Sequence, residues 1–597
     1  MAFDSFDPSW PLLLGVENSV TGRSWRQRDV CRRTADLAVQ RFGVDTLLAQ
    51  VVLGRGVALE ELEAYLTPSL KNHLPDPSVL MEMDRAAERL ADAIVGGETI
   101  GIFGDYDVDG TVSAALLFRY LCAVGAVPVV HLPDRFKEGY GPSLLGLQVL
   151  EERGASVICT VDCGSNHGDV LCATSADVVV LDHHLMDARP DVCALVNPHR
   201  PGDTSGLGGL SAGGVTFMTL VALNRELRAR GFFSSKPEPK LTRYLDLVAV
   251  SLICDVMPLQ GLTRLLVAQG LKVIGDVEQS PWGNPGLKAL ARSAGLQGRV
   301  GASHIGFQIG PRINAAGRVG HAKIAFDLLT TDEPTHATAI AQKLEALNKE
   351  RRRLEDQVRR DAVAQIEARG LSDNEPIVAA GEGWHPGVVG IVAGRLKERF
   401  HRPAFCISLE GDKGTGSGRS VDGVDLGAAV ADAASEGVIK SGGGHAMAAG
   451  LSLSPDQVDG FRAFLNARLS VSVAQATARR PLVLDSVIGV GAVNAATCRT
   501  LGPAGPFGQG NPEPRFALSD MRVRHVRLVG ERHLAITVED SLGKTARAIA
   551  FGAKDEPLGA LLEDLNRPKL HLAGRITPDT WRGGEAAQFE VDDASAA

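Results

Sequence analysis

The residues most able to do chemistry stand in one short string, Gly104-Asp105-Tyr106-Asp107-Val108-Asp109-Gly110. Its three carboxylates have no basic partner beside them. Packed together they repel, and a fold tolerates that most easily when a divalent cation neutralises them. The string also matches the first half of a calcium-binding EF-hand loop. That reading fails, because Leu116 stands where the loop requires a bidentate Glu, and an apolar strand-like run precedes the string where an EF-hand has a helix. Two further apolar runs end in the same chemistry, Thr160-Val161-Asp162-Cys163-Gly164 and Leu181-Asp182-His183-His184, and Asp255 follows a fourth run that begins at Leu247. Any one of these acids or histidines alone reads equally well as a cap or a satisfied core polar group. Four together, all read as lying at strand ends, read as a site. Oxygen and imidazole ligands without thiolates suit Mn²⁺ or Mg²⁺ better than structural zinc.

A second region offers different chemistry. Gly414 to Gly418 frees the backbone for close approach, while Ser417 and Arg419 present a hydroxyl and a fork of donors suited to a terminal phosphate. Taken by itself this stretch is an ordinary flexible turn. Gly543-Lys544-Thr545 ends like a phosphate-binding P-loop, but Val538 occupies the required first Gly position, so ATP binding is not implied.

The elements that must position the acids are legible around them. Ile100 to Phe103, Val127 to Leu132, Val157 to Val161 and Val178 to Leu181 are apolar, β-branched runs that read as buried parallel strands. Thr111 to Val124 and Ser143 to Arg153 between them have helical length and composition. Such alternation predicts a doubly wound α/β sheet, which binds its ligands at the C-terminal ends of its strands. Residues 1 to about 90 read as short helices, with Leu59, Leu62 and Leu66 at helical spacing. From Thr335 to Arg369 the chain is nearly free of Gly and Pro, which predicts one long connecting helix. A second α/β pattern follows from Pro376 to about Leu469, then a linker at Ala474 to Arg480. After Pro481 the runs Val523 to Leu528, His533 to Val538, Ala546 to Phe551 and Lys569 to Ile576 predict a small all-β barrel of OB type. Phe516, Phe551, Trp581 and Phe589 in that barrel are candidates for base stacking or, for most of them, for the core.

Composition narrows the class. At 597 residues the chain predicts about three to five domains. Hydrophobic residues at 44% and charged residues at 22%, with Gly 67 and Pro 30, exclude disordered and collagen-like chains. No apolar stretch approaches the ~18 residues that cross a bilayer. Asp4 and Asp7 stand where a secretory signal carries Lys or Arg, so a cytoplasmic protein is expected. Nine cysteines without a CxxC pair fit a reducing compartment. A net charge of -9 argues against a surface that is basic throughout, although a local basic groove fits it, and Arg outnumbers Lys roughly three to one.

The strings at 105–110, 161–164 and 182–184, with Asp246-Leu247-Val248-Ala249 through Asp255-Val256-Met257-Pro258-Leu259, resemble the DHH phosphoesterase superfamily and, within it, the bacterial single-strand-specific exonucleases of the RecJ family. The resemblance runs from about residue 60 to the C-terminus. It continues through Gly310-Pro311-Arg312-Ile313-Asn314-Ala315-Ala316-Gly317-Arg318, Trp384-His385-Pro386-Gly387-Val388-Val389-Gly390-Ile391, Gly416-Ser417-Gly418-Arg419-Ser420, Gly442-Gly443-Gly444-His445-Ala446-Met447-Ala448-Ala449-Gly450 and Pro506-Phe507-Gly508-Gln509-Gly510-Asn511-Pro512. Ser251, Ile253 and Cys254 depart from it, standing where the family pattern has Gly, a small or apolar residue and Ala. Thr263 replaces an Asn.

Together with the patterns above, the resemblance divides the chain into an N-terminal helical segment (1–70), a parallel-sheet DHH catalytic domain (71–334), the connecting helix (335–370), a DHH-associated α/β substrate-binding domain (371–473) and an OB-fold domain (481–597). It implies two divalent cations, Mn²⁺ or Mg²⁺. Asp162 would bridge them, His183 and Asp255 would complete one site, and Asp105, Asp107 and Asp109 would serve the pair. His184 would contact the scissile phosphate, with Arg312, Arg318, Ser417, Arg419 and His445 holding the strand. The activity implied is 5′→3′ hydrolysis of single-stranded DNA to 5′-mononucleotides in recombination and repair. The implied partners are single-stranded DNA, a single-strand-binding protein and a RecQ-type helicase, for a monomer. The rival readings are a DHH phosphoesterase acting on short oligoribonucleotides or cyclic dinucleotides, and a non-catalytic single-strand-binding scaffold.

Overall fold

The computed structural model describes residue 7 and residues 9–280, 283–372, 374–478, 481–579 and 586–597. The chain divides into two compact units: Met1–Ile313 with Ala322–Ala341 and Pro481–Ala597, and Asn314–His321 with Gln342–Arg480.

In the first unit the N-terminal segment supplies β1 (Ser24–Gln27) and the helices Arg32–Phe42 and Thr46–Leu53. The apolar runs then form β2 (Thr99–Gly104), β3 (Val129–His131), β4 (Ala155–Val161) and β5 (Asp177–Leu181), joined by β6 (Ala194–Val196). Val157 to Val161 and Val178 to Leu181 are buried at every position, as strands covered on both faces must be. The sheet order is β3-β2-β4-β5-β6, with every pairing parallel. The order reverses between β2 and β4, which opens a crevice beyond their carboxyl ends. Asp105 and Asp162 follow those two strands directly.

The element that carries Asp255 differs from the sequence reading. The run from Leu247 is the helix Leu245–Cys254, not a strand, so Asp255 is a helix C-cap rather than a strand-end residue. Residues 245–252 are all buried, and an apolar run covered on all sides carries no period that separates helix from strand.

The C-terminal residues form a barrel in which β14 (Phe516–Val529), β15 (His533–Glu539), β16 (Thr545–Ala550), β18 (Ala587–Ala596) and β17 (Lys569–Pro578) are neighbours in that order, closed by β17 on β14. Phe516 and Phe589 are core residues, Phe551 is exposed, and Trp581 lies outside the described residues. Gly543 and Lys544 form the turn between β15 and β16. This barrel shares its core with the N-terminus: Leu48, Val52 and Leu62 pack in one cluster with Phe516, Ile536 and Phe589. β1 pairs in parallel with Pro481–Leu484, and Trp25 Nε1 donates to Asp593 Oδ2 at 2.9 Å.

In the second unit a five-stranded sheet has the order β10-β11-β9-β8-β7, where β7 is Ile377–Glu382, β8 Ala404–Glu410, β9 Lys413–Arg419, β10 Ser441–His445 and β11 Ala448–Leu453. The expected turn at Gly414 to Gly418 is therefore part of a strand, as is Gly442 to His445. Glycines of β9 answer to crowding: a Cβ on Gly418 would lie 2.4 Å from Phe405 Cε1, and one on Gly416 2.9 Å from Leu451 Cδ1. The connecting helix is Pro334–Arg369, 36 residues, and the two units meet in sequence within it, at Ala341 and Gln342. Among the described residues no helix is long and apolar enough to cross a membrane.

Candidate metal centre

The three acids that follow β2 are separated by local geometry. Asp105 leaves the strand and is buried. Asp107 caps the Val108–Ala123 helix, accepting from Gly110 N at 3.1 Å, and Asp109 falls in that helix's first turn. Gly110 must be glycine, since a Cβ there would lie 2.6 Å from Asp105 N. Asp162 adopts φ 63°, a left-handed conformation that L residues rarely hold, and Gly164 follows at φ 112°. Strain of this kind persists where the surrounding structure over-determines it.

His183 is the hub. Its Nε2 lies 3.3 Å from Asp162 Oδ1, 3.4 Å from Asp255 Oδ2 and 3.7 Å from Asp109 Oδ2. Candidate ligand atoms gather in three groups, each within 4.8 Å: Asp105, Asp107 and Asp162; Asp162, His183 and His184; and Asp109, His183 and Asp255. Asp162 and His183 each belong to two groups, so the geometry suits two ions sharing ligands. All seven acids and histidines expected from sequence thus come together.

Electrostatics supports the same fit. Burial, then Asp107, raises the Asp105 carboxyl above its ordinary range. Burial, then Asp109 and the other acids, raises Asp162 far above it, and burial with Asp109 and Asp107 pushes Asp255 to about 9. Burial lowers the His183 imidazole, which keeps it neutral and ready to ligate. Asp105 Oδ1 and Asp162 Oδ1 are buried without a hydrogen-bond partner. Orphaned carboxylate oxygens crowded by like charge fit divalent cations bound through oxygen and imidazole. Cys163, next to Asp162, offers no ligand here, because its Sγ donates to Val161 O and burial raises its thiol.

Several contributors were given no role from sequence, although Asp182 stands in the string that follows β5. Asp182 does not join the ligand groups. It accepts from His183 N at 2.7 Å, Ser165 N at 3.1 Å and His184 Nδ1 at 2.8 Å, and so aims His184. Burial opposes its charge, but the His184 and Ser165 bonds outweigh burial and hold its carboxyl below the usual range. For His184 burial likewise acts against the charged form, and Asp182 overrides it to raise the imidazole. Tyr140 places its hydroxyl 3.2 Å from Asp162 O and 3.1 Å from His184 Nδ1. Its flanking Gly139 and Gly141, at φ 83° and 85°, were the available sequence signal. The departures are accommodated: Ser251 donates to Asp109, Thr263 Oγ1 donates to Gly209 O at 2.7 Å, and a Cβ on Gly310 would meet Cys254 Sγ at 2.4 Å.

Of the remaining candidates, Arg312 is buried in the first unit and donates to Gln308 O at 2.7 Å. Arg318, Ser417, Arg419 and His445 belong to the second unit. There Arg318 donates to Gly387 O at 3.1 Å and Arg419 to Ser417 Oγ at 3.0 Å. A Cβ on Gly390 would lie 3.0 Å from that hydroxyl, so Ser417 and Arg419 lie against the N-terminal half of the Pro386–Phe400 helix. Strand register sets His445, Ala448 and Arg419 in one row.

Comparison with known proteins agrees along the chain. Family models match as the DHH family N-terminal domain at residues 99–252, the DHHA1 domain at 373–471 and the RecJ OB domain at 484–593. The single-stranded-DNA-specific exonuclease RecJ of Escherichia coli strain K12 is 35% identical over 585 residues, covering 95% of this chain and 98% of the relative. The chain belongs to the RecJ family. The RecJ of Bacillus subtilis strain 168 is 31% identical over 566 residues, covering 93% of this chain and 69% of the relative. Among solved structures, Thermus thermophilus RecJ in complex with Mn²⁺ superposes with a TM-score of 0.78 at 29% identity, covering 96% of this chain and 79% of that one. The same protein with Mg²⁺ gives 0.74. This RecJ-family chain therefore has an α/β DHH region, a DHHA1 domain and a closed C-terminal barrel.

Proposed function

We propose that this chain is a divalent-cation-dependent exonuclease that degrades single-stranded DNA from its 5′ end, releasing 5′-mononucleotides in recombination and repair. The observation that carries the reading is the convergence on His183 of Asp109, Asp162 and Asp255 from separate parts of the DHH region, within a chain related to RecJ over nearly its whole length. When bound, a pair of Mn²⁺ or Mg²⁺ ions supplies Lewis acidity and water activation for an in-line displacement at phosphorus.

The chain's own residues do the rest. Asp162 anchors one ligand group and His183 another, and the two residues meet with His184 in a third group that links them. Asp105 and Asp107 complete the first, while Asp109 and Asp255 complete the second. His184, held by Asp182 through Nδ1, faces the scissile phosphate and donates to it. Arg419 and Ser417, with Arg318, Arg312 and His445, hold the strand and its terminal phosphate, charge-assisted bonds that favour a phosphorylated 5′ end. A cytoplasmic monomer working with a single-strand-binding protein and a RecQ-type helicase completes the reading, on family grounds alone.

The test is digestion of 5′- and 3′-labelled single strands and duplexes with Mn²⁺, with Mg²⁺ and with chelator. Mononucleotides released first from the 5′ label, on single strands and only with metal, are expected. Release from the 3′ end, or activity in chelator, would overturn the reading.

A further inference from the structure

Asp109 differs from the other acids of the cluster in being held by a built network. Its Oδ1 accepts from Gly213 N at 3.1 Å, from Ser113 Oγ at 3.4 Å and from Ser251 Oγ, and its Oδ2 accepts from Ala212 N at 2.8 Å. Behind Ser251 stands Ser211, with the two hydroxyls 2.5 Å apart. Ser211 is the N-cap of the Ala212–Ala229 helix, and its Oγ accepts from Gly214 N at 3.4 Å. Ser113, Ser211 and Ser251 are fully buried and Asp109 is 1% exposed.

These contacts fix the direction of every proton in the chain. Gly214 N–H can only donate, so the Ser211 hydroxyl proton turns away from it, toward Ser251. The carboxylate oxygen accepts, so the Ser251 proton turns toward Asp109. Three donors load Oδ1 and one loads Oδ2. The less loaded oxygen, Oδ2, is the one that lies 3.7 Å from His183 Nε2. Residue 213 matches this arrangement, because a Cβ there would lie 2.3 Å from Ser251 Oγ. Glycine at 213 therefore makes room for the serine, and residue 251 is a place where the sequence pattern leads one to expect glycine.

We propose that Ser251, backed by Ser211, is a positioning residue that locks the Asp109 carboxylate with Oδ2 turned to the cation held by Asp109, His183 and Asp255. The inference rests on the reading of this cluster as a divalent-cation site. Partners that orient metal ligands typically contribute about 10- to 100-fold in metal affinity. Loss of the Ser251 hydroxyl frees the carboxylate to turn and leaves the Ser211 proton without an acceptor, so one ion is held less tightly while the ion at Asp105, Asp107 and Asp162 is not.

The experiment is Mn²⁺ titration of the full chain, with free ion read by electron paramagnetic resonance, on wild type, Ser251→Ala, Ser251→Gly, Ser211→Ala, the Ser211→Ala/Ser251→Ala pair and Asp109→Ala. Two ions are expected in the wild type. Asp109→Ala loses one, and each Ser251 variant binds that ion about tenfold more weakly, shifting the Mn²⁺ midpoint of nuclease activity while kcat at saturating Mn²⁺ stays within about twofold. The double variant is no worse than Ser251→Ala, since both hydroxyls lie on one chain. If Ser251→Ala does not fold by circular dichroism, Ser251→Gly and Ser211→Ala carry the test. Binding within twofold of wild type in the Ser251 variants, alongside loss of an ion in Asp109→Ala, overturns the positioning role and leaves the metal reading standing. Retention of both ions by Asp109→Ala overturns both.

Discussion

The DHH region and the DHHA1 region of this chain satisfy their polar side chains in opposite ways. In the first, buried acids are crowded until carboxylate oxygens are left without partners, as at Asp105 and Asp162. In the second, Arg419 is already bonded to Ser417 Oγ and Gly418 O, and the row from Ser441 to His445 is exposed. One site is unsatisfied until cations arrive. The other is satisfied by itself, and under the proposed function it would exchange those partners for a strand's. On the proposed function, the comparison teaches that chemistry would depend on a few irreplaceable ligands, while grip would be graded and shared.

The comparison breaks hardest at Asp162, the acid shared by two ligand groups. Asp162→Ala is expected to lower kcat by at least about 10³-fold while circular dichroism remains native, since losing a shared ligand removes both the activation and the alignment that bound metal supplies. Activity within tenfold of wild type would erase the contrast. Arg419→Ala probes the graded side. It should weaken use of 5′-phosphorylated ends by about 1.5 to 3 kcal/mol, the worth of hydrogen bonds to a charged group. Comparing kcat/KM on 5′-phosphate and 5′-hydroxyl strands checks it, and a wild type indifferent to the phosphate would remove the pocket.

Removing metal sharpens the comparison in another way. With Asp255 raised from 3.8 to about 9 by burial and neighbouring acids, the folded apoprotein holds a proton that the unfolded chain releases. That contribution to stability is complete below the unfolded value and is lost as pH rises through about 9. In chelator Tm should therefore fall as pH rises from about 6 to about 9, and saturating Mn²⁺ should reverse the trend because the cation takes the deprotonated form. Melting curves across that range decide it. A flat or rising Tm in chelator would mean that the acids are not in conflict.

The smallest effect is expected on the barrel, where Arg527 is exposed on β14. Arg527→Ala should reduce the salt slope of binding to long single strands by at most about 1, leaving dinucleotide hydrolysis unchanged. Deleting the whole barrel is a different matter. Leu259 N donates to Gln509 O at 2.8 Å and Gln260 Nε2 to Gly510 O at 3.0 Å, so the loop before β14 buttresses the segment that follows Asp255. Activity on very short substrates should fall along with activity on long ones in that truncation.

Much of the centre was legible because apolar runs end abruptly in ligating residues. Asp105, Asp162 and His183 sit where β2, β4 and β5 stop, and backbone pairing in a parallel sheet brings such ends to one edge. The carrier of Asp255 was not legible, because a run buried on all sides shows no period. The glycines of β9 misled for a related reason. Glycine in a sequence signals freedom or crowding alike, and only Phe405 and Leu451 across the sheet say which. The N-terminal helices gave no hint that β1 would join Pro481–Leu484, a pairing across nearly the whole chain.

By itself, then, the sequence determined the ligand types, their place at the ends of elements and the succession of two α/β regions and a barrel, since all three follow from local composition and hydrophobic period; the DHH and DHHA1 labels came from the resemblance. Tertiary structure decided how the acids divide within the centre. It set Asp109 with His183 and Asp255, and turned Asp182 away to hold His184. It also ran a pair of serines from a helix cap to a carboxylate. Those choices depend on sheet order, on register and on what lies above a buried oxygen, which are set by contacts between residues far apart in the chain.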